Sequence, residues 1–118
     1  MREISHVQLP VKRLDKAIAW YEEVLGCELA GHFGVFAVVK FKGDKVTLFL
    51  WESADDTTTT FRVNVEPFPA FGFQVEDGED MDRLCKAIPE GKATRDEEGR
   101  RFLKFFDPDG NMLVAHTE

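Results

Sequence analysis

HVQLPVKRLDKAIAWYEEVLGCEL, residues 6–29, changes its period part-way along. At first Val7, Leu9 and Val11 alternate with His6 and Gln8, as in a strand with one buried face. From Leu14 the spacing turns helical, and Leu14, Ala17, Ile18, Tyr21 and Leu25 fall on one side. Gly26 stands where a helix end needs a residue that tolerates positive φ. A strand is thus followed directly by an amphipathic helix.

Three strand-like runs come next: CELAG, GVFAVVKFK and DKVTLFLWE. Gly31 to Gly34 and then Gly43-Asp44 separate them, so residues 1–52 read βαβββ. Residues 53–69, SADDTTTTFRVNVEPFP, read as a linker, being polar, threonine-rich and interrupted by Pro67 and Pro69. The pattern then restarts. AFGFQVE is a strand, and Asp77 caps a helix with Glu79 and Asp80 in its first turn, where acids suit the dipole. Met81, Leu84, Cys85 and Ile88 form the apolar stripe of that helix, and Pro89 ends it. GKATRDE, RRFLKFF and NMLVAH complete a second βαβββ over residues 70–118. The halves match in register as well. Val11 and Val75, Lys40 and Lys104, and Phe41 and Phe105 each stand 64 positions apart (75 − 11 for the first pair). A constant offset through strand, helix and strand marks an internal repeat. The expected fold is α+β, two tandem βαβββ modules in a single domain spanning 1–118.

At 118 residues the chain can bury roughly two thirds of its unfolded surface in one core. Eleven phenylalanines and two tryptophans must fill that core or line an apolar cavity. The net charge of −7 argues against a nucleic-acid partner, which requires a basic patch, and mildly favours cationic small molecules. No stretch approaches ~20 apolar residues and the N-terminus has no signal-like apolar run, so the expectation is a cytoplasmic protein with no membrane partner. Cys27 and Cys85 are expected to be reduced, and neither belongs to a metal-spaced cluster.

KFFDPDGNMLVAH, residues 104–116, reads as strand, tight polar turn and strand. Together with the opening strand and helix, the Tyr-x-x-x-Leu-Gly helix end and the repeat, it resembles the vicinal oxygen chelate superfamily, which holds glyoxalase I, bleomycin-resistance proteins and extradiol dioxygenases. The resemblance covers nearly the whole chain. It implies a cupped mixed sheet with helices on the outer face, a ligand held in the cup, and a homodimer. Metal-dependent members place one ligand on the first and fourth strand of each module. His6 matches the first such position. Ala70, its repeat partner, has no donor atom. The fourth-strand position of the first module falls at or near Leu48, or at Thr47 with a one-residue slip. In the second module it falls on Val114, where a glutamate is usual.

Alternation assigns the cup-lining residues. His6 and Gln8 share one face, as do Phe36, Val38 and Lys40. In the second module the sets are Ala70, Gly72 and Gln74; Arg100, Phe102 and Lys104; and Met112, Val114 and His116. For the strand after Gly43-Asp44, Leu48, Leu50 and Glu52 are assigned to the cup and Trp51 to the outside, toward a helix or a dimer partner. The expected ligand-binding set is therefore His6, Gln8, Phe36, Val38, Leu50, Glu52, Gln74, Phe102, Met112, Val114 and His116. No metal or other cofactor is expected, because a transition-metal site needs about three protein donors or more. The function expected is binding of a small aromatic or cationic molecule. The alternative is a glyoxalase-like lyase or isomerase, a thiol transferase or a dioxygenase. That enzyme would be metal-free, or would use His6, Glu52 and His116 as displaced ligands. Asp55-Asp56, Asp96-Glu97-Glu98 and His32 read as solvated residues.

Overall fold

The computed structural model describes residues 2–118. The chain folds as two compact units, one ending at Thr58 and the other spanning Thr59–Glu118. The α+β, tandem βαβββ expectation holds, and each unit carries a four-stranded mixed sheet with its helix on one face.

The first unit runs β1 (His6–Val11), α1 (Leu14–Glu23), β2 (Glu28–His32), β3 (Phe36–Lys40) and β4 (Thr47–Glu52). Its strand order is β1-β4-β3-β2, with β1 and β4 parallel and the other pairs antiparallel. Leu9, Val11, Ala37, Val39, Leu48 and Leu50 form the buried face, against Leu14, Ala17, Ile18 and Tyr21 of α1. The helix stops at Gly26, whose φ is +74°. Its N–H donates to Glu22 O, and that of Cys27 to Tyr21 O. A residue with a Cβ would be strained there.

The second unit begins with a hairpin, β5 (Phe61–Val63) and β6 (Glu66–Phe68), inside the stretch read from sequence as linker. Its two-residue loop, Asn64-Val65, holds both residues at positive φ, +50° and +65°. This geometry suits the right-handed strand twist, but it usually calls for Asn-Gly. After it come β7 (Gly72–Gln74), α2 (Gly78–Ala87), β8 (Lys92–Arg95), β9 (Arg101–Phe106) and β10 (Met112–His116), in sheet order β7-β10-β9-β8. Asp77 caps α2 as expected, its Oδ1 accepting from Asp80 N at 2.9 Å. Val75, Met81, Leu84, Ile88, Leu103, Phe105, Leu113 and Ala115 are buried.

The DPDGN turn does more than reverse the chain. Asp107 and Asn111 are buried polar residues. Asp107 Oδ1 accepts from the N–H groups of Asp109 and Asn111, which closes the turn. Asn111 Oδ1 accepts from Thr59 N at 2.9 Å, while Thr60 Oγ1 donates to Gly110 O and accepts from Met112 N. The first two residues of the unit are thereby fastened to its last hairpin.

Candidate functional site

The face of each sheet turned away from its helix carries the candidate residues. In the first unit this open face begins on β1 with His6 and Gln8. Neighbouring β4 adds Thr47, Phe49 and Trp51, because β1 and β4 run in register, His6 beside Thr47 and Gln8 beside Phe49. From β3 come Phe36, Val38 and Lys40, with Phe36 opposite Trp51 and Val38 opposite Phe49.

The aromatic rings form a continuous row. Phe36 stacks on Trp51 with centroids 4.4 Å apart, on Phe33 at 4.9 Å and on Phe49 at 5.6 Å. Phe49 in turn lies 4.6 Å from the His6 ring. Polar groups hold the two ends. Trp51 Nε1–H donates to Gln8 Oε1 at 2.7 Å, and Ser5 Oγ lies 2.8 Å from His6 Nδ1. Phe33 is 59% exposed and Trp51 37%, so the row is open to solvent at that end.

The structure corrects the expected face of β4. Leu48, Leu50 and Glu52 belong to the helix side, and Phe49 and Trp51 to the open face. Leu50 is fully buried beside Leu9. Glu52 Oε2 accepts from Leu14 N at 2.9 Å at the start of α1. The residue before that helix, Arg13, offers no side-chain cap, so Glu52 supplies the missing acceptor. Trp51 accordingly does not turn outward toward a helix. Alternation failed because Leu48, Phe49, Leu50 and Trp51 are all apolar and carry no phase. The pairing Leu9–Leu50 fixes it.

In the second unit Gly72, Gln74, Phe102, Lys104, Val114 and His116 share a face as expected, while Ala70 and Arg100 lie just outside the strands. Gln74 lies beside His116, and Gly72 beside Val114. Phe102 faces His116 across β9–β10, with ring centroids 6.1 Å apart. His116 Nδ1 lies 3.0 Å from Thr117 O. Met112 is buried. A Cβ on Gly72 would stand 2.7 Å from Val114 Cγ1, so the valine fills the space that the glycine leaves. Lys104 Nζ lies 4.6 Å from the centre of the Phe68 ring, a cation–π contact. His32, exposed as expected, is the last residue of β2, paired with Ala37, and its Nδ1 accepts from Gly34 N. Among the described residues, no three His, Cys, Asp or Glu side chains gather as a metal ion would require.

Neither cysteine is in a disulfide. Burial, and secondarily the Glu22 carboxylate, pushes the Cys27 thiol up to about 12, so it is a packing residue and not a nucleophile. No helix among the described residues is long and apolar enough to cross a membrane.

Tandem βαβββ units, each with its first and last strands parallel, define the class. Residues 3–115 match the Glyoxalase/Bleomycin resistance protein/Dioxygenase superfamily, and the chain belongs to it. It is 25% identical to the metallothiol transferase FosB of Lysinibacillus sphaericus, over 99% of this chain and 83% of that one. A glyoxalase/bleomycin resistance protein/dioxygenase from Alicyclobacillus acidocaldarius superposes with a TM-score of 0.71 at 25% identity, covering 98% of this chain and 91% of that one. The fosfomycin resistance protein FosX of Listeria monocytogenes shares the fold, with a TM-score of 0.77 at 20% identity over 100% and 94% of the two chains.

Proposed function

We propose that the chain binds a small planar molecule, preferentially a cation, on the aromatic open face of its first unit, and that it does so without a transition metal. The observation that carries this reading is the row Phe33–Phe36–Trp51, continued through Phe49 to His6. A cation over such rings gains about 0.5–2 kcal/mol. The net charge of −7 adds long-range attraction.

The superfamily's metal does not fit the residues present. Gln8 pairs with Phe49 as Gly72 pairs with Val114, so Phe49 is the counterpart of Val114. The four ligand positions then hold His6, Phe49, Ala70 and Val114, with one donor side chain among them. Metal-assisted thiol transfer is the second reading, favoured by the 25% identity to a metallothiol transferase, but it has no donor set to work with. The reading carries with it a cytoplasmic location and a homodimer. Trp51 no longer supports that dimer; exposed Leu29 and Val35 do. A mass of one chain by light scattering at micromolar concentration would remove this support.

Titration with N-methylquinolinium, followed by Trp51 fluorescence, tests the binding reading. We expect saturable quenching that is lost in Trp51→Phe, weakened in Phe36→Ala, and reduced by salt through screening. Stabilisation by anionic compounds alone, such as glutathione conjugates, in a thermal-shift series would overturn it.

A further inference from the structure

The second unit holds a pocket that the aromatic row does not touch. It is a cavity of about 280 Å3, just below the ~300–1,000 Å3 of sites for drug-sized ligands. Met112 and Phe106 give it an apolar wall, and four charged side chains line it: Glu66, Glu90, Lys92 and Lys104.

Lys92 and Lys104 are direct cross-strand partners in the β8–β9 pairing. Like charges placed opposite one another are destabilising unless something bridges them. Among the described residues none of the four charged groups is held in an ion pair, although two carboxylates and two ammonium groups line one small space. Lys104 is drawn over the Phe68 ring. The lining is therefore electrically neutral but without internal ion pairs, with both signs available beside an apolar wall.

We propose that this pocket takes a small zwitterion with an apolar side chain, a free α-amino acid of about leucine's size. Its carboxylate bridges Lys92 and Lys104 and relieves their repulsion. Its ammonium group answers Glu66 and Glu90, and its side chain covers Met112 and Phe106. A ligand of one charge alone satisfies one pair and is repelled by the other. The site lies wholly in the second unit and stands or falls apart from the aromatic face of the first.

The test uses the full chain labelled at its methionine methyl groups, followed by NMR. Met112 reports on the pocket, while Met81, buried on α2, reports on the fold. The probes are leucine, 4-methylpentanoate, which lacks the amine, and 3-methylbutylamine, which lacks the carboxylate. We expect leucine to shift the Met112 signal saturably, and each truncated analogue to bind about tenfold more weakly, since each forfeits its charge-assisted contacts. Lys104→Gln and Lys92→Gln should weaken leucine while leaving the Met81 signal in place, and Trp51→Phe should change nothing. A Met112 signal indifferent to leucine, or analogues that bind as tightly, would overturn the proposal. So would a loss of leucine binding in Trp51→Phe.

Discussion

Asn111 and Asp107 hold each other inside the last hairpin: Asn111 Nδ2 donates to Asp107 Oδ2 at 2.8 Å, and Asn111 N to Asp107 Oδ1 at 2.9 Å. The amide oxygen of Asn111 meanwhile takes the Thr59 N–H. Asn111→Ala removes the Nδ2–H donor to Asp107 Oδ2 and the acceptor of the Thr59 N–H. With about 1–3 kcal/mol lost per unsatisfied group, the variant should lose about 3 kcal/mol. A lower urea midpoint with an unchanged m value checks it.

Glu52 is a helix cap, and its removal should act on stability alone. Glu52→Ala frees the Leu14 N–H and should cost about 1 kcal/mol, while Glu52→Gln keeps an acceptor and should cost less. Thermal melts measure the difference. Titration of the aromatic face with N-methylquinolinium should give the same affinity for all three proteins. A drop in affinity would return Glu52 to the ligand set.

Val65 is a β-branched residue at positive φ on the exposed tip of the β5–β6 hairpin. Its left-handed conformation costs roughly 1–2 kcal/mol. Glycine would recover that and lose roughly 0.5–1 kcal/mol to unfolded-chain entropy. Val65→Gly should therefore stabilise the protein by about 0.5–1 kcal/mol. A lower melting temperature would refute the strain account.

Cys27 should be silent toward thiol reagents. Below pH 9 it is a buried neutral thiol in the native state, so native protein should titrate as one reactive thiol, Cys85, and denatured protein as two. The sign at alkaline pH follows from the raised value. Above the ordinary pKa of 9.0 the unfolded chain ionises first, and the stability contributed by the neutral thiol is lost as pH climbs from 9.0 toward about 12. Unfolding free energies measured across that range should fall less steeply in Cys27→Ala.

The metal expectation is equally direct. Purified protein should hold well under one equivalent of zinc, nickel, manganese or iron, and chelator should leave its melting temperature unchanged, because nothing then links metal to folding. A stoichiometric metal removed by His6→Ala would overturn the metal-free reading.

What the sequence revealed depended on contrast between neighbouring residues. His6 to Val11 alternates polar with apolar, and its phase is plain. Thr47 to Glu52 is apolar on both faces, so its phase became visible only through pairing with β1, and with it the roles of Phe49, Trp51 and Glu52. The β5–β6 hairpin escaped notice because its Asn-Val loop lacks the glycine that signals such a turn, and Pro67 reads as a strand breaker. The pocket escaped because Glu66, Glu90, Lys92 and Lys104 come from three separate segments and converge only after folding.

The parallel pairing of β1 with β4 sets a schedule for the growing chain. His6 has no neighbour to join until Thr47 and the rest of its strand have been made, and β7 waits in the same way for β10. The hairpins between β3 and β4, and between β9 and β10, close over short loops and can form first. Each unit then finishes by docking its earliest strand against its latest, a closure whose entropic cost falls near the end. Until β1 docks, β4 is paired with β3 on one edge only, and the open edge of an apolar strand invites self-association.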